Sequence, residues 1–302
     1  MRAEFAQAMM GLFERHPNVV FLTADLGYLA FEKLRDAYPG RFVNAGVAEQ
    51  NVVSVAAGMA HEGLIPWVYN IAPFAVLRPY EQIRNDVCMH NLPVKIVGNG
   101  GGYGYGIMGA THHTLEDMAV MRVLPNMKIY VPLVASDVKH AVEMMTEDKS
   151  PNYLRLNFPA EIDQPIECFK PWRRIKDGKK MVVIGVGPVL GNALNLGNND
   201  LLDAIEIWAI GMLPTSPIPE ELIASIKAKR KVMTIEEHYG QCGINELIAR
   251  QLLDLKIGRI IYKSSYALGY PSGKTGSQKW LQEQSGLAGQ GLEKIIKELV
   301  DA

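Results

Sequence analysis

The stretch Phe42 to Ala60, FVNAGVAEQNVVSVAAGMA, carries one carboxylate, Glu49, in an otherwise uncharged run. Val43 to Ala45 reads as the end of a strand and Gly46 as a turn where the chain bends closely. From Val47 onward the small residues Ala48, Ala56, Ala57, Gly58 and Ala60 suit a helix packed tightly against other backbone. The stretch is thus a strand, a turn and a helix with an acid at the helix mouth. A carboxylate in so dry a place costs free energy unless a partner is supplied. Two roles stay open for it: a structural hydrogen bond or a functional group.

On both sides of this stretch strands alternate with helices. The N-terminal half reads as helix Arg2 to Arg15, strand Val19 to Ala24, helix Phe31 to Tyr38, then the Glu49 stretch. Strand Leu64 to Tyr69, helix Val76 to Met89, strand Val94 to Gly98, helix Leu115 to Arg122, strand Met127 to Val131 and helix Asp137 to Asp148 follow. From Asn157 to Gly178 the periodicity is lost. Pro159, Pro165 and Pro171, with the basic residues Lys170, Arg173, Arg174 and Lys176, read as a linker with a solvated charged surface. A second alternating block runs from strand Met181 to Val186 through strands Ala204 to Ala209, Lys231 to Glu236 and Ile257 to Lys263. Its helices fall near Asn192 to Leu196, at Pro219 to Ala228, at Ile244 to Leu255 and at Gly291 to Val300. The expectation is an α/β protein of two domains, residues 1–160 and 179–302, joined by a linker at 161–178. Each should be a mainly parallel sheet with helices on both faces.

The composition narrows the function. At 302 residues, 48% hydrophobic and 21% charged, the chain has an ordinary globular balance. A net charge of −1 argues against nucleic acid as the main partner. Cys88, Cys168 and Cys242 lack metal-like spacing, and an odd count argues against a disulfide framework. No stretch reads as a signal peptide, and no apolar run approaches the roughly 18 residues of a membrane span. A soluble, cytoplasmic protein without membrane contact is expected.

Beyond Glu49, chemistry is suggested by Gly100, Gly101, Gly102, Gly104, Gly106 and Gly109, a glycine-dense loop after a strand. Alone it reads equally as a phosphate cradle or a mobile turn, and it lacks the Lys-Ser/Thr of a P-loop. It leads into Thr111-His112-His113; adjacent histidines point different ways and make a poor zinc pair.

The Glu49 stretch resembles the thiamine-diphosphate-binding pyrimidine domain of the transketolase family. That pattern is Gly, a hydrophobic residue, any residue, then Glu-Gln or Glu-His and an Ala/Gly-rich helix. The resemblance implies that Glu49 bonds the ring nitrogen of the cofactor's aminopyrimidine. A protonated carboxyl there favours the imino tautomer, which can then take the proton from the thiazolium carbon. The family's Gly-Pro-Thr-His-Gln falls on Gly109 to His113, so the resemblance places His112 at the reacting carbonyl and His113 at the substrate. Ala110 replaces the Pro, and Leu115 to Asn126 (LEDMAVMRVLPN) also follows the family's pattern. Phe74 falls where an aromatic stacks on the pyrimidine, Ile71 where a second aromatic is often found, and Asp25 near the cofactor. Arg155 matches an Arg that meets the substrate's distal anionic group, and Arg2 another such Arg. Residues from about 178 onward resemble the family's C-terminal domain through Thr234 to His238 and Gly240 to Gly243, with His238 an interface or structural residue.

The family's diphosphate and Mg2+ domain begins with Gly-Asp-Gly, which does not occur in this sequence. The resemblance therefore implies the C-terminal subunit of a split transketolase. Its partner would be an N-terminal transketolase subunit holding Mg2+ and the diphosphate, in an α2β2 heterotetramer. Three polar positions of sugar-phosphate transketolases are apolar here: Met108, four residues before His112; Gly100, twelve before it; and Leu29, four after Asp25. Their loss points to a ketol transfer on an atypical, modified or nucleotide-linked sugar. The competing expectations are a beta subunit of a 2-oxo-acid dehydrogenase complex and a non-catalytic regulatory or scaffold subunit.

Overall fold

The computed structural model describes residues 1–162, 165–270 and 273–302. The first domain contains α1 (Arg2–Arg15), β1 (Val19–Thr23), α2 (Glu32–Ala37), β2 (Phe42–Asn44), α3 (Glu49–His61), β3 (Ile65–Ile71), α4 (Ala72–Val76) and α5 (Tyr80–Gln82). It continues with β4 (Lys95–Asn99), α6 (Asp117–Arg122), β5 (Lys128–Tyr130), α7 (Asp137–Glu147) and β6 (Asn152–Leu156). The second domain contains β7 (Trp172–Lys176), β8 (Met181–Val186), α8 (Asn199–Ala204), β9 (Ile205–Ile210), β10 (Met212–Leu213) and α9 (Glu220–Lys229). It ends with β11 (Lys231–Glu236), α10 (Ile244–Asp254), β12 (Ile261–Tyr266), α11 (Gln278–Gln284) and α12 (Gly289–Asp301).

The first sheet has the order β10-β5-β6-β4-β3-β1-β2 and is parallel except for β10, which runs antiparallel to β5. The second has the order β12-β11-β8-β9-β7, with only β7 antiparallel. The fully buried strands Val19–Thr23 and Met181–Val186 are continuous apolar runs, as strands covered on both faces require. Among the described residues no helix is long and apolar enough to cross a membrane.

The expected linker at 161–178, of which 163 and 164 lie outside the described residues, contains a strand. Trp172–Lys176 is β7, the edge strand of the second sheet, and Arg173 is buried rather than solvated. It forms a forked ion pair with Asp137 on α7, Nη1–Oδ1 2.7 Å and Nη2–Oδ2 2.6 Å, which neutralises both groups where water is excluded. The domains also share apolar packing: one cluster runs from Val20, Leu22 and Ile96 to Val182, Ile184 and Val232. The expected helix from Val76 to Met89 breaks at Pro79, which has no N–H to donate into the helical ladder. Leu77, Arg78 and Pro79 form the turn between α4 and α5, and the helix resumes at Tyr80 and continues as a wide-turn segment at Ile83–Cys88.

Candidate active site

In the first sheet β2, β1, β3 and β4 are consecutive neighbours, and the chain order reverses between β1 and β3. Open parallel sheets bind ligands in the crevice outside the carboxyl ends of their strands at such a switch. Asp25 follows β1, Glu49 opens α3 after β2, Phe74 lies in α4 after β3, and His112 ends the loop after β4. Parallel topology thus delivers four residues from distant parts of the chain to one edge.

Glu49 is 6% exposed and is not alone. Arg78 Nη1 donates to its Oε1 at 2.5 Å, and the Arg78 guanidinium carbon stands 3.9 Å over the centre of the Phe74 ring. His112 approaches Phe74 edge-on, with ring centres 5.2 Å apart and an interplanar angle of 69°. Its Nδ1 lies 2.9 Å from Thr111 Oγ1, a short link that orients the imidazole. Glu49, Phe74, Arg78 and His112 thus form one connected group, with Met108 nearby in the chain and 56% exposed. Asn44 braces the turn before Glu49: its Oδ1 accepts from Asp25 N–H and Gly46 N–H, and its Nδ2 donates to Asp25 Oδ1. Asp25 thereby holds a left-handed backbone (φ 57°) and, with Tyr28 and Asn44, lines a cavity of about 230 Å3. Ile71, half-buried, ends β3 and precedes α4. Arg2, in α1, donates to the carbonyl of Tyr28.

The glycine-dense loop is neither loose nor bare. Tyr103 N–H donates to Glu237 Oε1 at 2.6 Å, and Tyr103 Oη donates to the Gly269 carbonyl at 2.9 Å. Tyr270 Oη donates to the Ala110 carbonyl at 3.0 Å. At Gly102, with φ +67°, a Cβ would lie 2.7 Å from the Glu237 carboxyl carbon, so only glycine lets the backbone come this close. The second domain therefore clamps the segment that carries His112. Gln278 and Gln282 donate to Glu237, while burial pushes its carboxyl above the usual range. Beside it, burial pushes Glu236 up to about 7 although Ile244 and Asn245 N–H, at the start of α10, donate to it. His238 Nε2 accepts the Ala119 N–H in the first turn of α6, an interdomain contact, and burial holds this imidazole below its ordinary range.

Three expected substrate contacts lie buried inside the fold. Arg155 is 1% exposed; its Nε donates to Asp117 Oδ2 at 2.7 Å and its Nη2 to the Thr114 and Glu237 carbonyls. These Nε and Nη2 bonds tie the two domains together. His113 is buried, stacked on Tyr270 with Tyr103 edge-on, and its Nε2–H donates to the Gly106 carbonyl. Burial lowers its basicity, so it packs as a neutral ring. Gly100 is covered by Tyr105, whose ring atoms would lie 2.2 Å from any Cβ there. Tyr105 Oη in turn accepts from Asn99 Nδ2 at 2.7 Å. The sequence reading missed Arg78, Asn44 and Tyr105. The signal for Arg78 was a cation just before a helix-breaking proline, one turn after Phe74.

Among the described residues no three His, Cys, Asp or Glu side chains gather as metal ligands.

A family model described as "Transketolase, pyrimidine binding domain" matches residues 1–159, and one described as "Transketolase, C-terminal domain" matches 171–277. The chain is 33% identical to "Putative transketolase C-terminal section" of Methanocaldococcus jannaschii, over 99% of this chain and 95% of that protein. It is 29% identical to one of the subunits of an apulose-4-phosphate transketolase of Phocaeicola vulgatus, over 83% of each. A solved structure described as "Split gene transketolase, inactive beta4 tetramer" superposes with a TM-score of 0.84 at 30% identity, covering 99% of this chain and 97% of that one.

Proposed function

Because the chain belongs to the transketolase family, we propose that it is one half of a two-chain thiamine-diphosphate enzyme. That enzyme would move a two-carbon ketol unit from a ketose donor to an aldehyde acceptor. The observation that carries this reading is the joining of Glu49, Phe74 and His112 at one sheet edge.

The residues present fit the aminopyrimidine of the cofactor. A flat, hydrogen-bond-donating group, the Arg78 guanidinium, already stacks on Phe74 and bonds Glu49, so the space accepts a planar donor ring. When bound, thiamine diphosphate supplies the carbon nucleophile that accepts and releases the ketol unit. Glu49 would hold the ring nitrogen through a shared proton, and its placement at the mouth of α3 keeps water from competing for that bond. Phe74 would fix the ring plane. His112, half-exposed and held by Thr111, would carry a proton at the oxygen of the reacting carbonyl, stabilising charge as it develops. Asp25 and Ile71, at neighbouring strand ends, would border the ring.

For the substrate, Met108 and Leu29 present apolar surface, Leu29 being 97% exposed, and Tyr105 fills the place of a side chain at position 100. A site without partners for hydroxyls penalises a polyhydroxylated sugar, which supports an atypical sugar. One relative is named for apulose-4-phosphate, which supports a sugar phosphate among the candidates. Arg2, beside Tyr28, remains available to an anionic group. One relative is described as a C-terminal section and another as a single subunit of its transketolase. Both descriptions support an N-terminal partner; in the proposed enzyme that partner would hold the diphosphate and Mg2+ in an α2β2 assembly.

The test is a calorimetric titration of thiamine diphosphate with Mg2+ into this chain alone and into its mixture with a candidate N-terminal subunit. Binding and ketol transfer in the mixture alone are expected. Strong turnover by the isolated chain would overturn the split assignment, and absence of binding in the mixture would favour a scaffold role.

A further inference from the structure

We infer that the Arg78 guanidinium is a built-in occupant of the aminopyrimidine position, a latch that the cofactor must displace before Glu49 and Phe74 can hold it. The inference rests on the reading proposed above. One side chain makes both contacts that define that position: it donates to Glu49 Oε1 at 2.5 Å and covers the Phe74 ring at 3.9 Å. A planar ring bonded to Glu49 and stacked on Phe74 needs the same space, because two points of contact fix where a flat group lies. The guanidinium suits that role, being planar, weakly hydrated and inclined to stack on aromatic faces.

The latch is built to open. Arg78 lies in the turn between α4 and α5, so its side chain can swing without breaking a helix. It is 44% exposed, so water stands ready to receive the charge, whereas the Glu49 side chain is 7% exposed and stays put. While closed, the latch compensates a carboxylate that would otherwise be buried unpaired, a costly arrangement. Its consequence is a lower apparent cofactor affinity, since only the open fraction of molecules can bind.

The test uses the full chain assembled with its N-terminal subunit, and compares wild type, Arg78→Met and Arg78→Lys. Thiamine diphosphate with Mg2+ is titrated calorimetrically, and association is followed by stopped flow. Arg78→Met is expected to bind about tenfold more tightly and to associate faster, as for a latch closed about nine-tenths of the time. Arg78→Lys, which keeps the charge but loses the planar fork, should fall between the two. Thermal unfolding checks that each variant is folded, and Arg78→Lys serves if the neutral variant is not. Equal or weaker binding by folded Arg78→Met would overturn the latch while leaving the cofactor reading intact. Binding by none of the three would remove the cofactor reading and the latch with it. Binding by Arg78→Met where wild type binds too weakly to measure would support the latch.

Discussion

Replacing Arg155 by Met separates a structural arginine from a substrate-binding one. The change removes the charged partner of Asp117, which is fully buried, and leaves it with the Tyr153 hydroxyl at 2.8 Å. It also strips a donor from the Glu237 carbonyl at the domain junction. The Thr114 carbonyl is spared, because the Gly102 N–H still donates to it at 2.8 Å. Breaking one side of a buried ion pair costs about 3–5 kcal/mol. At roughly 2–4 °C per kcal/mol for a chain of this size class, the midpoint of thermal unfolding should fall by roughly 6–20 °C. Asp117→Asn combined with Arg155→Met should recover part of the loss, because the unpaired charge is gone while Tyr153 keeps an acceptor. Calorimetry on the purified chain reads this directly. An unchanged midpoint together with a raised KM for an anionic sugar would refute the structural role and return Arg155 to the substrate.

In the assembled enzyme, Glu49→Gln should lower turnover by about 100-fold or more, the usual scale of a proton-handling group, with the fold intact by circular dichroism. Gly102→Ala drives a Cβ to within 2.7 Å of the Glu237 carboxyl at a left-handed backbone position. Overpacking of this kind costs about 1–3 kcal/mol, so a lower unfolding midpoint and a reduced kcat through the displaced His112 loop are expected; an unchanged midpoint would contradict the clamp. Glu236, held at about 7 against an ordinary 4.5, keeps its proton in the folded state longer than in the unfolded one. Its contribution is therefore complete below about 4.5 and lost as pH rises through about 7, worth about 3 kcal/mol across that window. The midpoint of Glu236→Gln relative to wild type should accordingly improve from pH 5 to pH 8, and a difference independent of pH would refute the shift.

What could be read from the sequence was local. The Glu49 turn, α1 and the apolar strand β8 have patterns that their own residues impose, and the structure places them where those patterns lie. What escaped was long-range. β6 reads NYLRL, and the polar Asn152 and Arg155 hide a central buried strand; their partners, Lys95 and Asp117, come from distant segments. The basic run around Arg173 looked solvated because a charge is a surface signal until its counter-ion is known, and Asp137 lies 36 residues away. For Glu49 the missing fact was again a partner, Arg78, 29 residues on. The glycines of the His112 loop were visible, but the Glu237 and Tyr270 side chains that press on that loop were not, since they arrive from the other domain.

The two-residue strand β10 limits how this chain can be taken apart. Met212 and Leu213 belong in sequence to the second domain, yet they complete the first sheet by pairing with Tyr130 and Ile129, and the Gly211 carbonyl accepts the Val131 N–H at 2.8 Å. A cut near residue 160 would strip β5 of its neighbour and leave an open, sticky sheet edge. The smallest portable unit is therefore longer than the pyrimidine domain. A recombinant chimera that exchanges the front half between relatives at a junction near residue 160 must re-form the β10–β5 pairing between segments of different parentage.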